Sequence, residues 1–217
     1  MSGSVLAAAR VEQARRGSDE WLRAARRAKA LSWFSLAYMG IEGGVALTAA
    51  FISGSVALLG FGIDSVIEGI ASLVIVWRFT GSRLLSDAAE SRAQKLVAIQ
   101  FFLLAPYITF EALQALILAE RPDVTALGMA LTASSVIVMP ALGVAKQRLA
   151  DRLGSTATRG EGTQNLLCAY LAAAVFIGLA GNAIAGLWWL DPIAALLIAV
   201  VAVREGRETW RGEGCCT

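Results

Sequence analysis

Six apolar stretches recur along the sequence, and each is a candidate membrane-spanning helix. A helix needs about 20 mostly apolar residues to cross roughly 30 Å of hydrocarbon. The stretches lie at 31–52, 56–77, 95–118, 124–145, 164–186 and 190–204. Only 17% of the 217 residues are charged and 57% are hydrophobic, whereas soluble domains carry about 25% charged residues. The sequence therefore predicts an all-α membrane protein, a bundle of six transmembrane helices.

The basic residues indicate how this bundle is oriented. With the N-terminus inside, 18 of the 19 lysines and arginines fall on the inner side, and Arg121 is the exception. Cytoplasmic loops of membrane proteins carry such an excess. We therefore predict that both termini are cytoplasmic and that the protein is a multi-pass protein of the plasma (inner) membrane. Because the basic residues follow this membrane rule, no nucleic-acid partner is predicted.

The flanking segments are expected to be short and polar. Residues 1–30 are predicted to form a basic cytoplasmic arm, residues 31–204 the six-helix domain, and residues 205–217 a tail that contains Cys215 and Cys216. Ser18 is expected to cap a helix that runs through Trp21. No signal peptide is expected. Gly40 and Gly44 form a small-xxx-small pair that predicts close packing of the first helix.

Two carboxylates interrupt the second apolar stretch. Asp64 and Glu68 are four residues apart, so a helix places them on one face, one turn from each other. A charge inside the membrane costs about 2.5 kcal/mol or more, and two like charges repel unless a cation or proton lies between them. The pair therefore predicts a divalent-metal site coupled to protons. The alternative is a pair of acids satisfied by neighbouring helices for packing specificity alone.

A second helix should complete such a site. Gln164 and Cys168 are also four residues apart, at the start of the fifth apolar stretch. A cysteine thiolate is a good ligand for zinc, although a single cysteine in a membrane helix often serves only as a small apolar residue. The sequence has no histidine, so the commonest metal ligand is missing.

Three segments resemble the cation diffusion facilitator (cation efflux) family. Residues 52–68 (ISGSVALLGFGIDSVIE) are similar to the start of its second helix, and residues 188–195 (WWLDPIAA) to the start of its sixth. Residues 159–168 (RGEGTQNLLC) are similar to the start of its fifth helix, with lower specificity. The resemblance covers about residues 30–212 and implies a six-helix exporter of divalent transition metals in exchange for protons.

The resemblance also implies a ligand set. The metal ligands would be Asp64, Glu68, Gln164 and Cys168, where the family usually has Asp for Glu68, His for Gln164 and Asp for Cys168. Zinc is the ion that the family points to first, and Fe, Co, Ni and Mn stay open. The family's cytoplasmic C-terminal domain, which often supports dimerisation, is expected to be absent, so a homodimer is left as an open expectation. No cofactor is expected besides the transported ion.

The depth of the fifth helix raises a conflict. Hydropathy places Gln164 near the inner edge of the membrane, whereas Asp64 and Glu68 lie near its middle. Either the fifth helix extends back through residues 156–163, or a water-filled cavity reaches the site. We favour the extended helix. Further intramembrane polar residues that would line a transport path are Glu42, Glu111 and Asn182.

The residues therefore favour a divalent-metal transporter and leave two rivals. One is a membrane protein that binds metal, or helps to assemble a metal protein, without transport. The other is an intramembrane thiol enzyme centred on Cys168, which has neither a histidine base nor a CxxC partner in this sequence. We predict that the protein is not an enzyme.

Overall fold

The chain folds into a bundle of α-helices. The computed structural model describes residues 17–53, 56–118, 126–185 and 189–212, which hold six α-helices and a short 3-10 turn at Gly81–Arg83. The predicted all-α, six-helix bundle is confirmed. The helices are α1 (Asp19–Ser53), α2 (Val56–Arg78), α3 (Asp87–Leu118), α4 (Ala126–Leu153), α5 (Thr156–Ala185) and α6 (Leu190–Arg211).

The surface of this bundle is suited to lipid. Among the described residues, Asp19–Ala49, Asp87–Leu118 and Ala126–Leu153 are long and apolar enough to cross a membrane. Large apolar side chains on three different helices point outward, and Ile41, Phe110 and Leu197 are each at least 66% exposed. Continuous exposure of this kind is unusual for a water-soluble monomer. The helices therefore present apolar side chains to the bilayer and keep polar ones inside.

Several helices extend beyond the apolar stretches that predict them. The helix α1 begins at Asp19, with the backbone N–H of Trp21 donating a 3.3 Å hydrogen bond to Ser18 Oγ. The expected Ser18 cap is therefore confirmed, but the predicted boundary at residue 30 falls inside α1, and Trp21 is buried instead of lying in a solvated arm. At the other end, α6 continues past residue 204 to Arg211. Cys215 and Cys216 lie outside the described residues.

The turn between α4 and α5 is fixed by local signals. Gly154 has a φ of 61°, the left-handed conformation that commonly ends a helix. Ser155 then caps α5, because its Oγ accepts the backbone N–H of Thr158 at 3.1 Å. Glu90 of α3 accepts hydrogen bonds from Ser155 Oγ and from the backbone N–H of Ala157. These contacts start α5 at Thr156, so the predicted extension of this helix through residues 156–163 is confirmed.

The main core lies at one end of the bundle. It joins the N-terminal halves of α1, α3 and α5 to the C-terminal halves of α2, α4 and α6. We call this the basic end, because Arg78, Arg152 and Arg211 lie in the last turns of α2, α4 and α6. Buried members of the core come from all six helices: Trp21, Ile75, Phe101, Leu149, Ala157 and Ala202. The Trp21 indole N–H also donates to the Leu153 carbonyl at 3.2 Å. Apolar packing therefore joins all six helices at the basic end.

Glycines bring certain helix pairs into backbone contact. A Cβ added at Gly143 of α4 would lie 2.9 Å from the carbonyl oxygen of Gly162 in α5. A Cβ added at Gly162 would lie 3.0 Å from the carbonyl oxygen of Gly143. A Cβ added at Gly43 of α1 would likewise lie 3.1 Å from the Cβ of Ser65 in α2. The predicted packing role of Gly40 and Gly44 is wrong, because a Cβ at either position meets no described atom within 4 Å.

Candidate metal site

The structure brings together three of the four predicted ligands. Asp64 and Glu68 come from α2 and Cys168 comes from α5, and their ligand atoms all lie within 4.8 Å of one another. Glu68 is 3% exposed and Cys168 is 5% exposed, while Asp64 is half-buried. The backbones of these two helices approach each other at far fewer positions than those of α1 and α2 or of α4 and α5 do. The cluster therefore bridges two elements that are otherwise loosely joined.

The carboxylates of this cluster are not satisfied by the protein. Both Glu68 oxygens and Asp64 Oδ1 are buried and have no hydrogen-bond partner of good geometry among the described residues, and the Cys168 thiol interacts weakly with Glu68. Buried polar atoms are nearly always paired, because an unpaired one costs about 1–3 kcal/mol. Three unpaired oxygens converging beside a thiol are the arrangement expected of a site that receives a cation or protons.

Gln164 lies one turn before Cys168 on the same helix. It is 2% exposed, and both its amide nitrogen and its amide oxygen lack a described partner. The four-residue spacing places it on the Cys168 face of α5. Because α5 begins at Thr156, Gln164 lies more than two turns inside the helix. An unpaired amide oxygen at this position is available as a neutral ligand.

Two further acids surround the cluster. Glu42 of α1 is buried, and its Oε1 accepts hydrogen bonds from Tyr38, at 3.2 Å, and from Ser135 of α4. Glu111 of α3 accepts a 3.0 Å hydrogen bond from the Tyr107 hydroxyl. Both carboxylates interact electrostatically with Asp64. Two of the predicted path residues are therefore near the cluster, whereas the side chain of Asn182 lies outside the described residues.

Sequence reasoning missed a buried ion pair near the site. Lys146 Nζ of α4 donates to Glu161 Oε1 of α5 at 2.7 Å, to Asn165 Oδ1 at 2.8 Å and to Ser35 Oγ of α1 at 2.6 Å. Ser32 Oγ donates to the second Glu161 oxygen at 2.8 Å. Lys146 also interacts electrostatically with Glu68. In the sequence, Lys146 is one of the 18 inner basic residues, and the only signal of another role is its position directly after the apolar run of α4.

Comparison with known proteins identifies the scaffold. The cation efflux transmembrane domain matches residues 32–211. Transmembrane protein 163 of Xenopus laevis is 24% identical over 184 residues, covering 83% of this chain and 66% of that protein. An uncharacterised transporter of Synechocystis sp. is 26% identical over 170 residues, covering 75% of this chain and 54% of that protein. The chain thus spans about half to two thirds of the length of these curated relatives. Since the family match covers most of the chain, the protein belongs to the cation efflux family of membrane transporters.

Proposed function

We propose that this protein moves a divalent transition-metal cation out of the cytoplasm in exchange for protons. The observation that carries the proposal is the convergence of Asp64, Glu68 and Cys168, whose ligand atoms lie within 4.8 Å of one another. Gln164 is proposed as the fourth, neutral ligand. The protein would sit in the plasma (inner) membrane with both termini in the cytoplasm, and a homodimer is the proposed assembly.

The chemistry of the ligand set favours a borderline metal ion. Four-coordinate sites with thiolate and carboxylate ligands suit zinc, while carboxylate and carbonyl oxygens alone suit harder ions such as Mn. One thiolate beside two carboxylates therefore places zinc first and leaves Fe, Co, Ni and Mn as competitors to be measured. The neighbouring acids Glu42 and Glu111 add negative charge that attracts any divalent ion.

The ligands also supply the coupling to protons. A metal binds the deprotonated carboxylate and thiolate forms, so its arrival releases protons. Protons that return after the metal leaves neutralise the same buried oxygens, which have no described partner of their own. Because the backbones of α2 and α5 approach each other at few positions, small displacements of one relative to the other would open the site to one side at a time.

Metal-dependent proton flux in liposomes tests this function. The purified full chain is reconstituted, zinc is added on one side, and zinc uptake and internal pH are recorded together. Asp64→Ala should abolish both signals. Asp87→Ala, at an exposed position in the first turn of α3, is the matched control and should retain them. Equal flux from the wild type and Asp64→Ala overturns the proposal, as does zinc binding by the wild type without any flux.

A further inference from the structure

The Lys146 ion pair lies between the cluster and the basic end. Glu161 precedes Cys168 by seven residues on α5, so it lies about 10 Å closer to the basic end along the helix. Positions 161, 164, 165 and 168 fall on one face at helical spacing. They carry Glu161, Gln164, Asn165 and Cys168, a line of polar side chains that are all buried. This line leads from the basic end to the proposed metal ligands.

The ion pair joins three helices across this line. Lys146 from α4 is held by Ser35 of α1 and by Glu161 and Asn165 of α5. Lys146 is fully buried, and Ser32, Ser35, Glu161 and Asn165 are at most 3% exposed. The pair is therefore buried between the cluster and the basic end.

The energetics of such a pair favour a switching role over a purely stabilising one. Removing two charges from water is costly, so a buried ion pair contributes little net stability compared with apolar side chains of similar size. The pair is, however, sensitive to a competing cation, because a divalent ion near Glu161 replaces the ammonium as its counter-charge. Lys146 also interacts electrostatically with Glu68, so a change in the pair alters the electrostatic environment of the proposed metal ligands.

We propose that the Lys146–Glu161 ion pair is the gate between the metal site and the basic end of the bundle. While the pair is intact, the site is closed toward that end. An ion that arrives from the basic end separates the pair, contacts Glu161, and passes along the face that carries Gln164 to Asp64, Glu68 and Cys168. The inference rests on the proposed function for the direction in which the ion moves. Closure of the site by the ion pair does not depend on transport.

Thiol labelling of Cys168 measures this closure without requiring transport. In a chain with Cys215→Ser and Cys216→Ser, Cys168 is the only cysteine in the sequence. A membrane-impermeant, positively charged methanethiosulfonate reagent is applied at the basic-end face of oriented vesicles. Lys146→Met should raise the labelling rate of Cys168 at least about tenfold, because each charge-assisted hydrogen bond that is lost shifts an opening equilibrium by about that factor. Labelling from the opposite face should not change.

A matched control and a second variant keep the test decisive. Glu208→Gln breaks the exposed ion pair between Arg204 and Glu208 on α6 and should leave the labelling rate unchanged. Lys146→Met alone leaves a buried carboxylate unpaired and could prevent folding, so Lys146→Met with Glu161→Gln, which removes both charges, carries the same expectation. An unchanged labelling rate in this folded double variant overturns the gate. Raised labelling in a chain that shows no metal flux would support the gate and reject the proposed function.

Discussion

At the scale of single residues, Cys168 is the proposed ligand that we expect to set the preference of the site for one metal over another. Its buried thiol faces two carboxylates within 4.8 Å. We expect Cys168→Ser to weaken zinc binding by about tenfold or more, while manganese, which prefers oxygen ligands, changes much less. Isothermal titration of the purified protein with each metal measures the ratio of the two affinities.

Serine keeps the size of cysteine and removes only the soft ligand, so the variant separates chemistry from packing. The control is Ala169→Ser, which adds a hydroxyl at the next, equally buried position of α5. Equal losses of zinc and manganese binding in Cys168→Ser would show that Cys168 supports the helix and does not coordinate the ion.

The residues of the candidate site differ in how readily the sequence predicts them. Asp64 and Glu68 could be predicted because a charged residue in an apolar stretch is costly and therefore indicates a functional role. Cys168 and Gln164 carry no such cost, so their four-residue spacing is weak evidence alone and the family resemblance is needed to support them as ligands. The ion pair of Lys146 and Glu161 could not be predicted, since both residues lie in the polar region between the fourth and fifth apolar stretches, where charged residues are common. Only the turn at Gly154 and the start of α5 at Thr156 bring the two together.

At the scale of helices, the contact between α4 and α5 depends on two glycines that face each other. Gly143 and Gly162 lie so close that a Cβ on either would come within 2.9–3.0 Å of the opposite carbonyl oxygen. We expect Gly162→Ala to destabilise the bundle by about 1–3 kcal/mol, the usual cost of overpacking. Thermal or detergent-induced unfolding of the purified protein measures the change.

Gly44→Ala is the matched control for this prediction. A Cβ at Gly44 meets no described atom within 4 Å, and alanine is favoured over glycine in helices by up to about 1 kcal/mol. The control should therefore be neutral or slightly stabilising. If both variants unfolded at the same point, the two helices would not be in the close contact that the structure describes.

Helix number could be predicted from the sequence, but helix ends could not. Hydropathy detects only the part of a helix that must be apolar, so α1, α3 and α5 begin in residues that resemble loops. Those extensions are stabilised by contacts between distant parts of the chain. Examples are the Trp21 bond to Leu153 and the Glu90 bonds to Ser155 and Ala157. Contacts of this kind have no local signature in the sequence.

At the scale of the whole molecule, the two ends of the bundle differ. The basic end holds the main apolar core, and the buried pair of Arg78 and Glu90, at 2.7 Å, lies there too. Arg148 and Arg152 are exposed near the same end, whereas Lys146 is buried and serves inside the bundle. The excess of inner basic residues that predicts the orientation therefore remains when Lys146 is left out of the count.

The orientation itself is the prediction that decides on which side of the membrane the proposed gate lies. If the basic end is cytoplasmic, as the positive-inside rule predicts, Ser82 in the exposed 3-10 turn between α2 and α3 faces the cytoplasm. Glu120, between α3 and α4 in the sequence, then faces outward. In a chain whose three native cysteines are replaced by serine, Glu120→Cys should react with an impermeant maleimide on intact cells. Ser82→Cys should react only after permeabilisation. The reverse pattern would place the Lys146–Glu161 pair on the outer side of the metal site, and the same gate would then control release of the ion instead of its capture.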